Sequence, residues 1–193
     1  MKKLKDFISL IHLVKTSIAM NPTSIPIVKN RGTGAGGANT NKTGLAFEKV
    51  ASIMVEDLEE RGITGFLNVS GSKLHKIMKE FLQKNMIPAP GCKKPDEAFL
   101  NVETKRIFII EKKMQTKSGS VEEKIQTGAF KQHHYSVLYP AYRVQYIYCL
   151  ADWFKKAEHK TEIEYLKQNN VPVFWGEDAD YKESVIKFML SNL

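Results

Sequence analysis

Apolar positions along the chain change period several times, and each change marks a predicted element. Leu4, Phe7, Ile8, Ile11 and Val14 recur every three or four residues, which predicts an amphipathic N-terminal helix. Residues 31–44 carry five glycines among Asn and Thr and read as a flexible loop. Phe47, Val50, Met54 and Leu58 then form one helical stripe, with Gly62 as its stop. Ile63 to Val69 reads as a strand and Leu74 to Gln83 as a second amphipathic helix, after which Pro88, Pro90 and Gly91 break the chain. Glu97 to Val102 and Arg106 to Met114, joined through residues 103–105, form a hairpin pattern. Ser120 and Glu123 spell a capping box for a helix running to about Val137, closed off by Pro140. Arg143 to Leu150 alternates as a strand, Thr161 to Asn169 is helical, Val171 to Trp175 is a short strand, and Tyr181 to Leu193 is a last helix. This order predicts an α/β protein, a mixed sheet of about five strands flanked by helices. Residues 1–193 are expected to form a single domain, with 1–30 as N-terminal helix and linker and 31–44 as the glycine-rich loop.

Composition narrows the class. The 193 residues carry 29 Lys+Arg against 21 Asp+Glu, a net charge of +8, so a polyanionic partner such as nucleic acid suits the surface. Only Arg31, Arg61, Arg106 and Arg143 are arginines, so bidentate guanine reading is sparsely supplied. Two cysteines, Cys92 and Cys149, cannot make a disulfide scaffold or a four-cysteine zinc site and suit a reducing cytoplasm. The longest apolar run, 7–14, contains Ser9 and His12 and is far below the roughly 20 residues that span a bilayer, so no membrane association is expected. A secretion signal is also rejected, because Asp6 and His12 interrupt its basic and apolar parts.

Two glycine motifs fail on context. Gly32, Gly34 and Gly37 match the dinucleotide fingerprint, but 24–28 is a poor strand and no helix opens at the last glycine. Gly36 to Thr43 approaches a phosphate-binding P-loop, but Asn41 stands where the second glycine must let the backbone wrap the phosphates. His133 and His134 are adjacent and point about 100° apart on a helix, so a surface or DNA-facing role suits them better than chelation. Tyr142, Tyr146 and Tyr148 read as strand packing, Trp153 and Trp175 as core or interface, and Cys92 as incidental despite Lys93 and Lys94 beside it.

The stronger chemistry lies on the hairpin. Asp96 follows Pro95 at its start, and Glu111 and Lys113 lie near its end. With period two, Ile107, Ile109, Glu111 and Lys113 share one face, and charges there make sense where the sheet opens into a cleft. Two carboxylates converging from paired strands bind a hard divalent cation through oxygen. A lysine beside them can orient water and balance phosphorane charge.

Asp96, 14 intervening residues and then Glu111-Lys112-Lys113 resemble the PD-(D/E)xK nuclease superfamily. The resemblance implies a restriction-endonuclease-like core of a helix, a three-strand meander, a helix and a further strand, with 74–83 inserted between the first two strands. It makes Asp96 and Glu111 metal ligands, Lys113 the catalytic lysine, and Glu48 on the first core helix an additional metal-associated carboxylate. Gln126 matches a helix glutamine near the active site of related nucleases. Three segments, 37–48, 91–99 and 122–131, further resemble type II restriction endonucleases of the type IIS-like group acting on short asymmetric sites. They are most similar to the small catalytic subunit of heterodimeric nicking enzymes.

The activity implied by this resemblance is that of a Mg²⁺-dependent endonuclease, with Mn²⁺ as substitute, that cuts double-stranded DNA. Lys42, Lys93, Lys94, Lys112, Lys124 and Lys131 are then expected to grip phosphates. A chain of this length has little left for a separate recognition domain, so a homodimer or a larger recognition subunit is expected, and the N-terminal helix could dock on it. The rival reading is a basic DNA- or RNA-binding module with a degenerate, non-catalytic nuclease fold.

Overall fold

The computed structural model describes residues 12, 13, 16, 37–82, 93–118 and 120–193, with backbone alone for 37–43 and 81. Its helices are α1 (Gly37–Val50), α2 (Val55–Glu59), α3 (Ser72–Ile77, running on into a π turn at Met78–Leu82), α4 (Val121–Ile125), α5 (Gly128–Leu138), α6 (Lys160–Gln168) and α7 (Tyr181–Ser191). Its strands are β1 (Phe66–Asn68), β2 (Glu97–Asn101), β3 (Arg106–Lys113), β4 (Arg143–Leu150) and β5 (Val173–Trp175). The sheet order is β1-β2-β3-β4-β5: β1, β2 and β3 form an antiparallel meander, while β4 and β5 run parallel to β3. The α/β class and the five-stranded mixed sheet flanked by helices are therefore as expected.

Alternation along β3 sorts the two faces. Ile107 and Ile109 enter one core with Ala98, Leu100, Tyr146 and Tyr148, covered by α3, α4, α5 and α6. Phe108 and Ile110 enter the other with Phe66, Phe99, Ile147 and Cys149, covered by α1, α2 and α7. The parallel β3–β4 pair needs a crossover, and α4 with α5 supplies it. Beyond the reach of the short β5, Gln132 on α5 covers the open edge of β4. Its amide donates to the Val144 carbonyl at 2.8 Å, and its Oε1 accepts the Tyr146 N–H at 2.6 Å.

Several boundaries differ from the expected ones. The single helix over Phe47, Val50, Met54 and Leu58 is two helices. Phe47 and Leu58 are buried, but Val50 and Met54 are 73% and 53% exposed. The break is a capture: one Glu97 carboxylate oxygen accepts the Ile53 N–H at 3.0 Å and the Ser52 hydroxyl at 3.1 Å, which turns Ile53 into the core. Helix α1 starts at Gly37, so the second half of the expected glycine-rich loop is helical, propagated from the turn that buries Phe47.

The helix expected from Ser120 is likewise two. Ser120 already has helical backbone angles, so it makes no side-chain cap, and Glu122 rather than Glu123 accepts from Gln115 and Ser118. The Thr127 hydroxyl donates to the Lys124 carbonyl at 2.7 Å, competing with the helical ladder at the break. Gly128 then lets α5 lie close on the sheet, since a Cβ there would sit 2.6 Å from Leu166 Cδ2 and 2.7 Å from Tyr148 Cε2.

The expected stripe at 4–14 lies outside the described residues, as do 31–36 and Cys92. His12, Leu13 and Thr16 are helical and exposed. Among the described residues no helix is long and apolar enough to cross a membrane.

Candidate active site

Both strands of the β2–β3 hairpin end in charged residues, and the pleat sends them to opposite faces. Asp96 precedes β2 and points with Ala98, while Glu111 and Lys113 follow Ile107 and Ile109 onto that same face. Glu97 and Lys112 go to the other face, with Phe99, Phe108 and Ile110. One sheet end therefore carries two charge groups of different character, one opening to solvent and one sealed.

The open group is built around Glu111. Lys113 Nζ lies 2.7 Å from Glu111 Oε1 and 3.6 Å from Asp96 Oδ2, so one ammonium spans both carboxylates. Asp96 Oδ2 also accepts the Lys112 N–H at 3.1 Å, which fixes it against the end of β3. Burial raises the Asp96 carboxyl above the ordinary aspartate value, and the Glu111 charge raises it further. Burial alone would raise Glu111 too, but the ammonium groups of Lys113 and Lys131 outweigh it and hold Glu111 below its usual value. Lys113 is raised: its two carboxylate neighbours outweigh the burial that would lower it. Glu111 thus stays ionised while Asp96 takes up a proton more readily as pH falls.

Lys131 was expected on a DNA-gripping surface, yet its ammonium sits 2.8 Å from the same Glu111 Oε1. It lies over the rings of Tyr146 and Tyr148, 5.6 and 5.9 Å from their centroids. Burial and the Glu111 charge push the Tyr148 hydroxyl up to about 12, so it stays neutral beside the carboxylates. Lys93, Lys94, Glu111, Lys131 and Tyr135 line a cleft of about 280 Å³. His75 holds the Lys93 end of it. A carbonyl only accepts, so His75 Nε2 donates to the Lys93 carbonyl at 2.7 Å, and Nδ1 is left to accept from the Tyr139 hydroxyl.

On the other side of Lys113, a second cleft of about 210 Å³ is lined by residues including Glu48, Lys112, Lys113 and Lys124. Glu48 is raised by partial burial and then by the Asp96 charge, so it lies within electrostatic reach of the pair. It does not join it: among the described residues no three His, Cys, Asp or Glu side chains are gathered closely enough to hold a metal. Lys124 is exposed at the end of α4, and Gln126, at the break after α4, is exposed with no contact to the carboxylates among the described residues. The Lys42 side chain lies outside the described residues. His133 is exposed and His134 half-buried, diverging as adjacent helical positions do.

Lys112 corrects an expectation. It is 6% exposed, and its ammonium is bound to Glu97 Oε2 at 2.9 Å and the Glu48 carbonyl at 3.1 Å, so it has no free charge to offer a phosphate. The rule that places Lys113 on the open face had already sent Lys112 to the closed one. Glu97 was not anticipated at all. At 2% exposure it ties Ser52, Ile53 and Lys112 together, and burial raises its carboxyl. No local pattern announces it, since its partners Ile53 and Ser52 are 44 and 45 residues away on the chain.

No family model matches the chain, and no curated protein matches it. Among solved structures it is similar to MunI restriction endonuclease in complex with cognate DNA. The TM-score is 0.45 and the identity 14%, covering 79% of this chain and 95% of that one.

The donor set suits a hard divalent cation. Asp96 and Glu111 offer carboxylate oxygens from the ends of paired strands, brought together by the one Lys113 ammonium. Both are oxygen donors. Magnesium is bound by one or two carboxylates with water and phosphate completing its shell, so a third side chain is not required.

Proposed function

We propose that this chain is a Mg²⁺-dependent DNA endonuclease that hydrolyses phosphodiester bonds, with Mn²⁺ as a substitute. In this reading it is a type II restriction endonuclease of the type IIS-like group, or the small catalytic subunit of a heterodimeric one. The observation that carries the reading is the meeting of Asp96, Glu111 and Lys113 at one sheet end, with one ammonium reaching both carboxylates.

Asp96 and Glu111 would hold the cation, and Glu48 would contribute through water or directly. A divalent cation there supplies Lewis acidity toward the phosphate and lowers the pKa of bound water. Lys113 is placed to orient the attacking water and to offset charge on the phosphoryl oxygens. Lys93, Lys94 and Lys124, on the two flanking clefts, would take neighbouring phosphates. Gln126 stays a secondary candidate, reachable only by a substrate that extends to the α4–α5 break. One such site cuts one strand, so double-strand cleavage needs a second copy or a larger recognition subunit.

Purified chain should convert supercoiled plasmid to nicked circles with Mg²⁺ or Mn²⁺ and leave it intact in EDTA. Linear product should appear only where two sites act together, through a second copy of the chain or an added larger subunit. Binding of DNA without cleavage in either metal would instead establish a non-catalytic binding module. Exchanging Lys93 and Lys94 together for alanine should weaken duplex binding at every sequence. The slope of log K against log salt should become shallower by about two, close to one unit per lost phosphate contact. Fluorescence anisotropy across a salt series measures it.

A further inference from the structure

The open site holds one more cation than the proposed chemistry uses. Lys113 alone spans both carboxylates, yet a second ammonium, from Lys131 on α5, rests on the very Glu111 oxygen that Lys113 already contacts. Two lysines on one carboxylate oxygen repel each other, and the arrangement is tolerated because Lys131 also lies over the rings of Tyr146 and Tyr148. Lys131 belongs to a different element from the hairpin, and it also lines the cleft beside Lys93 and Lys94. It therefore stands between an anion that a cation must take and a cleft of like charge that only a polyanion would fill.

We propose that Lys131 is a displaceable counterion of Glu111. It occupies the position on the carboxylate that a divalent cation takes, and when the cation enters, the Lys131 ammonium turns into the Lys93–Lys94 cleft and binds a phosphate oxygen of the DNA. The inference rests on the nuclease reading, in which Glu111 is a metal ligand. It adds that metal and DNA bind in a coupled way, because each gains from the move the other requires. Lys113 keeps a partner in the Lys112 carbonyl when the cation draws on the two carboxylates, so it stays at the site.

The test is Mn²⁺ binding to the full chain without DNA, followed by the electron paramagnetic resonance signal of free Mn²⁺. The proteins compared are wild type, Lys131→Met, Lys131→Gln, Lys131→Arg and Glu111→Ala. With the competitor removed, Lys131→Met should bind Mn²⁺ about tenfold more tightly, the loss of one charged hydrogen bond expressed as a ratio. Lys131→Arg should stay near wild type. Single-turnover cleavage should nevertheless slow in Lys131→Met and recover in Lys131→Arg. A lysine that merely braced α5 would give the opposite metal result, because loosening the site weakens binding.

Unchanged or weaker Mn²⁺ affinity in Lys131→Met overturns the proposal. If that variant does not unfold cooperatively, Lys131→Gln decides by the same criterion. Wild-type Mn²⁺ binding that is lost in Glu111→Ala shows the metal reading to be sound whatever Lys131 does. Absence of binding in wild type removes both.

Discussion

Glu111→Ala is expected to lower duplex cleavage by roughly a thousandfold or more, equivalent to about 4 kcal/mol of transition-state stabilisation, the scale of removing a metal ligand from a phosphoryl-transfer site. The size follows from where Glu111 stands. It is the carboxylate kept ionised by two ammonium groups, whereas Asp96 is the one burial pushes toward its neutral form. Losing Glu111 leaves the cation a single carboxylate, Asp96, with Lys113 beside it competing for that one charge. DNA binding should respond in the other direction. The substitution frees Lys113 and Lys131 from their shared partner and removes a negative charge beside the basic cleft, so metal-free duplex affinity should rise or hold. Single-turnover cleavage in Mg²⁺ together with anisotropy in EDTA separates the two effects. A variant that cuts at the wild-type rate shows that the carboxylate pair is not the reactive centre, and one that loses DNA binding and cleavage together points to lost structure.

The hairpin was readable from sequence because its information is local. Proline and aspartate open it, β3 alternates with period two, and Glu111 and Lys113 fall on the face begun by Ile107 and Ile109. The mixed sheet of about five strands followed from the succession of elements, and its order came from the structure. The unreadable parts depended on partners far along the chain. The stripe through Val50 and Met54 is a sound helical period, but Glu97 captures Ile53 from 44 residues away and ends the helix between them. Lys131 looks like any helix-surface lysine until Glu111, 20 residues earlier, is placed beneath it. Gln126 was singled out by resemblance, and no local pattern marked Gln132. The structure gives Gln132 a defined task on the β4 edge and leaves Gln126 at a helix break.

The largest effect on stability is expected at the sealed end of the same hairpin. Lys112→Met should cost about 3 kcal/mol, because breaking a buried ion pair leaves its partner charged and unsolvated. For a chain of this size that corresponds to a fall in Tm of roughly 6–12 °C. The stranded partner is Glu97, which still accepts from Ser52 and Ile53 but loses the ammonium at 2.9 Å. The loss also frees the Glu48 carbonyl at the end of α1, so the α1 terminus should exchange amide hydrogens faster. The pH dependence has a definite sign. Glu97 has a folded pKa raised by burial, so the folded state binds its proton more tightly than the unfolded chain. Stability from that group is present at low pH and is lost as pH rises through the folded value. Without Lys112 the carboxyl rises further, and the deficit of Lys112→Met should shrink as the solution is acidified. Pairing the change with Glu97→Gln should restore much of the stability at neutral pH, since the amide oxygen can still accept the Ile53 N–H and no charge remains buried. Urea unfolding of the two single variants and the double variant, at neutral and at acid pH, measures the coupling. Additive losses would show that Glu97 and Lys112 do not stabilise the α1–α2 break as a pair.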